Sequence, residues 1–422
     1  MAHVEDSSTP MHARVRAADT RYVDKGIGTQ CLHAGELWEK QDFWSSSAPI
    51  YNGTVFFYDT VQEREDAVYN RRPGYSYSRN GSPTLATLER ALSTLEGVEV
   101  TKGCGSGMAA SHLAMVAFGG GQDGLILCSS DVYGSVTTMV RDVLPELGSR
   151  TILMDFTDLN RLEDVMHAQK PSLVYFEAVT NPLTKVLDAP AIIELAHRCG
   201  ALAVVDNTFT TPYLLKPAEH GADFVSNSLS KFLNGHADVL AGSIGCAAGH
   251  YDRLHNIHLQ LGATLAANEA WLCLRGLKTF HLRMERHCSN ALAVASYLEG
   301  HPSIARVRYP GLASHPQHDI ARRIFQPRGF GAMLSFDVAG CDTVQKAYRF
   351  MDALKMVMAS SSLGDVYSVI VNPARSTHHW FDERELAALG IGIGTFRMSV
   401  GLEDLEDIKE DLDQALRTYQ AG

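Results

Sequence analysis

Leu173-Val174-Tyr175-Phe176-Glu177, a run carrying Ile192, Ile193, Leu195 and Ala196 that stops at Gly200, and Leu202-Ala203-Val204-Val205-Asp206 decide the fold between them. Two short apolar runs read as strands buried on both faces, because neither shows the polar alternation of a half-exposed sheet. The run between them has helical spacing. Strand, helix and strand at this separation predict a βαβ unit with parallel strands. Working outward, Leu125-Ile126-Leu127-Cys128 and Thr151-Ile152-Leu153-Met154 extend the alternation, which continues to about residue 245. The prediction is a doubly wound α/β domain whose ligand lies beyond the carboxyl ends of the strands.

Upstream, Ser82-Pro83 marks a helix start, with a hydroxyl cap and proline at the first helical position. Leu85, Leu88, Leu92 and Leu95 follow at helical spacing, and Gly97 ends the helix. Residues 1–60 read as an extended arm with short apolar islands such as Ala48-Pro49-Ile50-Tyr51. Near Arg275-Gly276-Leu277 the pattern shifts to long helices and mixed short strands, closing on Leu405, Ile408, Leu412 and Leu416. The expected division is an arm over 1–60, a large domain over 61–270 and a smaller α+β domain over 271–422.

The 422 residues suit two or three domains at roughly 150 residues each. With 45% apolar and 20% charged residues the chain packs a core, which argues against extensive disorder. The net charge of −11, without a basic block, excludes the footprint of a nucleic-acid binder. No stretch has the roughly 18 apolar residues of a membrane span, and Met1 to Tyr22 lacks the apolar core of a signal peptide, so a cytoplasmic protein is expected. The eight cysteines show no CxxC or zinc-like spacing and read as buried free thiols, with no metal site.

The chemistry concentrates in Ser226-Asn227-Ser228-Leu229-Ser230-Lys231, which follows an expected buried strand Asp223–Val225. A lysine there is partly desolvated, so its pKa falls and the neutral amine becomes a nucleophile or base. Hydroxyls three and one residues before it suit phosphate oxygens. Gly105-Ser106-Gly107-Met108, opening a helix through Ala109, Ala110 and Leu113, offers amides to the same phosphate. Asp206 ends its strand where a carboxylate needs a cationic partner, or caps the next turn. Asn181-Pro182 occupies the equivalent place after the preceding strand.

These residues resemble the Cys/Met-metabolism family of pyridoxal-phosphate enzymes, of fold type I. The resemblance runs from about Thr29 to Leu416. It rests on Tyr77-Ser78-Arg79-Asn80-Gly81-Ser82-Pro83-Thr84, Asp206-Asn207-Thr208, Ser228-Leu229-Ser230-Lys231, Ser362-Leu363-Gly364 and Arg397-Met398-Ser399-Val400-Gly401. It implies pyridoxal 5'-phosphate held by Lys231 as a Schiff base, with Asp206 against the ring nitrogen and Tyr133 stacked on the ring as an acid or base. It implies Ser106, Gly107, Met108, Ser228 and Ser230 around the phosphate, with Tyr77 and Arg79 donated by a neighbouring subunit, so that the active unit is a dimer paired into a homotetramer. Arg397, Ser362 and Asn181 would hold the carboxylate of a small L-amino acid, with Tyr51 and Ser361 beside it. His236, His378 and His379 read as structural or rim residues.

Two positions depart from family members. Methionine γ-lyases carry Cys two residues after the stacking tyrosine, whereas this chain has Tyr133-Gly134-Ser135. Cystathionine γ-lyases and γ-synthases usually place Glu before Ser-Leu-Gly, whereas this chain has Ser361, making a small hydroxyl-rich wall. The reading is γ-elimination from an L-amino acid, giving a 2-oxo acid and ammonia. The alternatives are γ-replacement on an activated homoserine and β-elimination from cystathionine or cystine. An aminotransferase on the same fold, or a scaffold without cofactor, fits the motifs less well.

Overall fold

The computed structural model describes residues 16–35, 45–119 and 124–420. Seven strands form the larger sheet: β1 (Val100–Cys104), β2 (Leu125–Ser129), β3 (Arg150–Met154), β4 (Leu173–Glu177), β5 (Leu202–Asp206), β6 (Phe224–Ser228) and β7 (Gly242–Cys246). Their order is β1-β7-β6-β5-β4-β2-β3. The pairs from β3 through β6 are all parallel, while β7 runs antiparallel to both β1 and β6. The expected mostly parallel sheet is therefore present. β2 and β4 are buried along their whole length, which is why their sequences are unbroken apolar runs, whereas the edge strand β3 is half-open. One apolar core lies on each face of the sheet.

The chain steps from β2 to β3 toward one edge, then from β4 through β5 to β6 toward the other. The order reverses between β2 and β4, the place where doubly wound sheets open a ligand crevice. The strand expected at Asp223–Val225 runs on to Ser228, because the backbone of Ser226, Asn227 and Ser228 continues the ladder with β7. Their polar side chains hide this from a hydrophobicity pattern.

The helix Pro83–Glu96 is built as its sequence predicts. Ser82 Oγ accepts the amide of Leu85 at 3.3 Å, and Gly97 closes the helix at φ 72°. A cap of this kind contributes about 1 kcal/mol. Leu85, Leu88, Leu92 and Leu95 are buried. The arm departs from the expectation of extended chain, for it contains the short helix Ile27–His33. Arg16 anchors it, ion-paired at 2.5 Å with Glu89, which also lies 3.5 Å from the buried Lys102. Residues 1–15 and 36–44 of the arm lie outside the described residues.

A second sheet of five strands follows: β8 (Ile304–Arg308), β9 (Met333–Val338), β10 (Met358–Ala359), β11 (Val369–Val371) and β12 (Thr395–Ser399), in the order β10-β11-β12-β9-β8. The helices Phe280–Glu299, Val344–Ala353 and Leu405–Gln420 pack with it around a third core containing Phe336, Phe350, Phe396 and Leu412. Among the described residues no helix is long and apolar enough to cross a membrane. All eight thiols are free, seven of them buried.

Candidate active site

The carboxyl ends of β2, β4, β5 and β6, the turn after β1, and the 361–363 and 397 segments surround one cavity. Ser106 caps the helix Gly107–Ala114 by accepting the Ala109 amide at 3.0 Å, which aims the helix's first amides into the cavity. Gly107 allows this approach: a Cβ there would meet the Ser228 Cβ at 2.8 Å. Ser230 is tied to Ala241, accepting its amide at 2.9 Å, and the Ser228 amide donates to Thr208 Oγ1 at 2.9 Å. Ser106, Gly107, Met108, Ser228 and Ser230 thus converge on one end of the cavity, although they come from two separate stretches of chain.

Asp206 lies on the cavity floor. Its carboxylate accepts the Thr208 amide at 2.9 Å and the Tyr175 hydroxyl at 3.0 Å, and Tyr175 is bonded in turn to Ser111 at 2.9 Å. Burial pushes the Asp206 pKa up, and these hydrogen bonds pull it back. Behind the floor, the buried Glu96 accepts amide hydrogens from Asn207 at 3.0 Å and Asn227 at 2.7 Å, clamping the ends of β5 and β6 together. Burial raises its pKa to about 7. Tyr133 follows β2 and faces the cavity; its amide donates to Glu177 Oε1 at 2.6 Å.

Lys231 enters from the turn after β6, and Nζ donates to Ser362 Oγ at 2.9 Å. Burial first, and then the charge of Arg397, lower its pKa. The Ser362-Leu363-Gly364 segment presses on the lysine's own backbone. At Gly364, with φ 75°, a Cβ would meet the Phe232 nitrogen at 2.5 Å and the Lys231 carbonyl carbon at 2.9 Å, so glycine is required for the approach. Arg397, on β12, is buried, yet among the described residues it donates only to uncharged oxygens: Asn181 Oδ1 at 2.9 Å, and the Ser361 and Ser362 carbonyls at 3.0 and 3.1 Å. Its Nε has no partner. Burial lowers its pKa to about 10, which leaves it cationic at neutral pH. A buried guanidinium without a carboxylate is a seat for an anionic ligand.

Of the residues singled out from sequence, Ser106, Gly107, Met108, Tyr133, Asn181, Asp206, Ser228, Ser230, Lys231, Ser361, Ser362 and Arg397 all line this cavity. Tyr51, Tyr77 and Arg79 do not. Tyr51 is held through its amide to Thr84, and the Arg79 guanidinium sits 5.7 Å from the Tyr77 ring while donating to the Leu259 carbonyl. Ser135 also stays off the cavity wall, where Tyr133 and Val136 take part. His236 and His379 are exposed, and the buried His378 has a pKa lowered to about 4 by burial and by Arg397. Sequence reasoning missed Ser111, Tyr175, Glu177 and Thr208. Tyr175 and Glu177 were visible as polar groups inside an apolar strand, but nothing in the pattern assigned them a ligand.

The site fits pyridoxal phosphate on its own chemistry. Helix amides and serine hydroxyls suit the phosphate, and a buried aspartate that makes no ion pair among the described residues suits a protonated ring nitrogen. A lysine of lowered pKa suits the aldehyde. Residues 28–417 match the model of the Cys/Met metabolism PLP-dependent enzymes. The chain belongs to this family. A cystathionine γ-lyase of Bacillus subtilis is 40% identical over 391 residues, covering 92% of this chain and 98% of the relative. An L-methionine γ-lyase of Fusobacterium nucleatum subsp. polymorphum is 38% identical over 398 residues, covering 93% and 98%. The crystal structure of cystathionine γ-synthase from Xanthomonas oryzae pv. oryzae, in complex with aminoacrylate and cysteine, matches with a TM-score of 0.87 and 35% identity, covering 94% of this chain and 99% of that one. Like other members of the Cys/Met metabolism family, the chain is a fold-type I enzyme whose cofactor is pyridoxal 5'-phosphate.

Proposed function

We propose that the chain catalyses γ-elimination from an L-amino acid carrying a heteroatom group at Cγ, releasing that group, a 2-oxo acid and ammonia with consumption of water. The observation that carries this reading is Lys231 Nζ, held against Ser362 and within the field of Arg397, its pKa lowered by both burial and charge. Bound pyridoxal phosphate supplies an electron sink for the carbanion. Arg397 and Asn181 orient the substrate carboxylate, which places the Cα hydrogen toward Lys231. The neutral amine removes that proton and then one from Cβ, and Tyr133 delivers a proton to the departing group. The wall at Ser361 and Ser362 leaves the γ-group facing small, uncharged side chains. The 40% and 38% identical γ-lyases favour elimination.

The likeness to a γ-synthase favours a second reading, γ-replacement, in which a nucleophile attacks Cγ of the shared unsaturated intermediate. We infer a homotetramer of two active dimers as well, from Tyr77 and Arg79 lying off the cavity of their own chain and from the exposed Phe57 (92%) and Val61 (77%) in the same stretch of sequence. A cytoplasmic location accords with eight free thiols. Oxo-acid release from methionine, cystathionine, cystine, canavanine and O-acylhomoserines, with and without an added thiol, tests the reaction. Rapid release without thiol supports elimination. A trace of oxo acid alongside rapid incorporation of the thiol at Cγ overturns it.

A further inference from the structure

β4 and β5 run parallel, with Glu177 directly opposite Asp206. Two carboxyl groups therefore leave adjacent strands at the same level and enter the same cavity wall. Neither makes an ion pair among the described residues, and both are strongly desolvated. Two like charges this close in a buried place are not both retained, and one of the pair keeps a proton.

Their hydrogen bonds decide which. Asp206 accepts two, from the Thr208 amide and the Tyr175 hydroxyl. Glu177 accepts one, from the Tyr133 amide at Oε1, while its Oε2 is buried with no partner. A bare carboxylate oxygen without a donor is costly to bury, and a neutral acid is much less so. We propose that Glu177 is a neutral carboxylic acid in the working enzyme, and that this neutrality leaves the buried Arg397 cation uncompensated so that it binds the substrate carboxylate. An ionised Glu177 would serve instead as the guanidinium's internal counter-ion. Glu177 is thus a positioning residue: it fixes Tyr133 through one oxygen and protects the charge of Arg397 through the proton on the other.

The groups facing Glu177 are consistent with this direction. Asp206 from β5 and Asp131 from the loop after β2 oppose its ionisation, Arg397 from β12 favours it, and burial outweighs Arg397, so its pKa stands well above the ordinary carboxylate range. Tyr175 on its own strand and Cys128 on β2 are uncharged, their own pKa values also raised by burial. Asp131 is itself paired with Lys185 at 3.1 Å.

The inference rests on Arg397 holding the substrate carboxylate, and two measurements separate the proton from that assignment. In a Glu96→Gln background, which removes the other buried acid that is partly protonated at neutral pH, infrared difference spectroscopy of the cofactor-loaded enzyme should show the carbonyl stretch of a buried protonated acid that disappears when Glu177→Gln is added. Absence of the band from Glu96→Gln, or its survival in the double variant, overturns the proposal without reference to any substrate. The KM for an amino-acid substrate should rise about tenfold per pH unit above the Glu177 pKa in the wild-type enzyme, and this rise should vanish in Glu177→Gln whatever its kcat. A rise that survives in Glu177→Gln, with the infrared result as expected, overturns the link to Arg397 and leaves the proton in place.

Discussion

The cavity floor and the segment 45–80, which runs from the arm into the start of the large domain, satisfy their polar groups in opposite ways. Around the floor, Asp206 at the end of β5, Ser230 in the turn after β6 and the buried Glu96 at the end of its helix each bond partners from elsewhere in the same chain. In that segment, charged groups pair with near neighbours at the surface, as Glu63 does with Arg72 and Arg71 with Asp66, while large apolar side chains such as Phe57 stand exposed. The floor bonds within the chain, whereas this segment leaves apolar surface open, the observation behind the proposed dimer. Lys231 and Arg397 meet in one cavity, and Tyr77 and Arg79 lie outside it.

The contrast breaks first if the floor is not the reacting centre. Lys231→Ala should lower turnover about 10³-fold or more, the upper part of the range for a positioned acid–base group. Oxo-acid release measures it, and a loss under about tenfold would place the chemistry elsewhere. Next in size is the test of the segment 45–80. Arg79→Ala should be nearly inactive, yet mixing it with Lys231→Ala under subunit exchange should return activity in hybrids that hold one intact site. Failure to recover any activity in verified hybrids would assign Arg79 to its own chain.

A smaller effect separates the two cations of the floor. Arg397 lowers the Lys231 pKa, so removing its charge in Arg397→Gln should raise that pKa. The neutral amine then appears at higher pH, and the rate at which apoprotein takes up pyridoxal phosphate, followed by visible absorbance, should reach its plateau at more alkaline pH. An unmoved profile would mean that burial alone sets the lysine.

The smallest effects come from one substitution made in both regions. Glu96 keeps its proton longer in the folded state than in the unfolded chain, its pKa raised from the ordinary 4.5 to about 7. Its contribution to stability is therefore full below about 4.5 and is lost as pH rises through about 7. Relative to Glu96→Gln, the wild-type Tm should fall across that window. Glu63 has its pKa lowered by the Arg72 bond, but at an exposed pair. Glu63→Gln should leave Tm and its pH profile unchanged. Equal responses of the two variants would erase the distinction between the floor and the segment 45–80.

Much of this was legible before the structure. Leu173–Phe176, the Ile192–Ala196 helix and Leu202–Val205 carry their burial in their composition, because a strand covered on both faces has no place for polar residues. The Ser82 cap and Gly97 stop are local chemistry, settled within a few residues. Lys231 and its flanking serines were readable because the four consecutive residues Ser228-Leu229-Ser230-Lys231 hold them all. Less legible were the polar end of β6, whose ladder with β7 is a tertiary fact, and the helix Ile27–His33, which is too short to show a period.

By itself, then, the sequence determined the doubly wound sheet and the lysine with its flanking serines, since periodicity and local motifs act over a few residues, while its resemblance to the family pointed to Arg397 and to Asp206 against the ring nitrogen. Only the tertiary structure decided that Arg397 reaches Asn181 across 216 positions of chain, that Gly364 presses on Lys231, that Glu177 lies beside Asp206, and that Glu96 clamps Asn207 to Asn227. Each is a contact between distant segments, and its energy comes from desolvation that exists only once both segments are buried together.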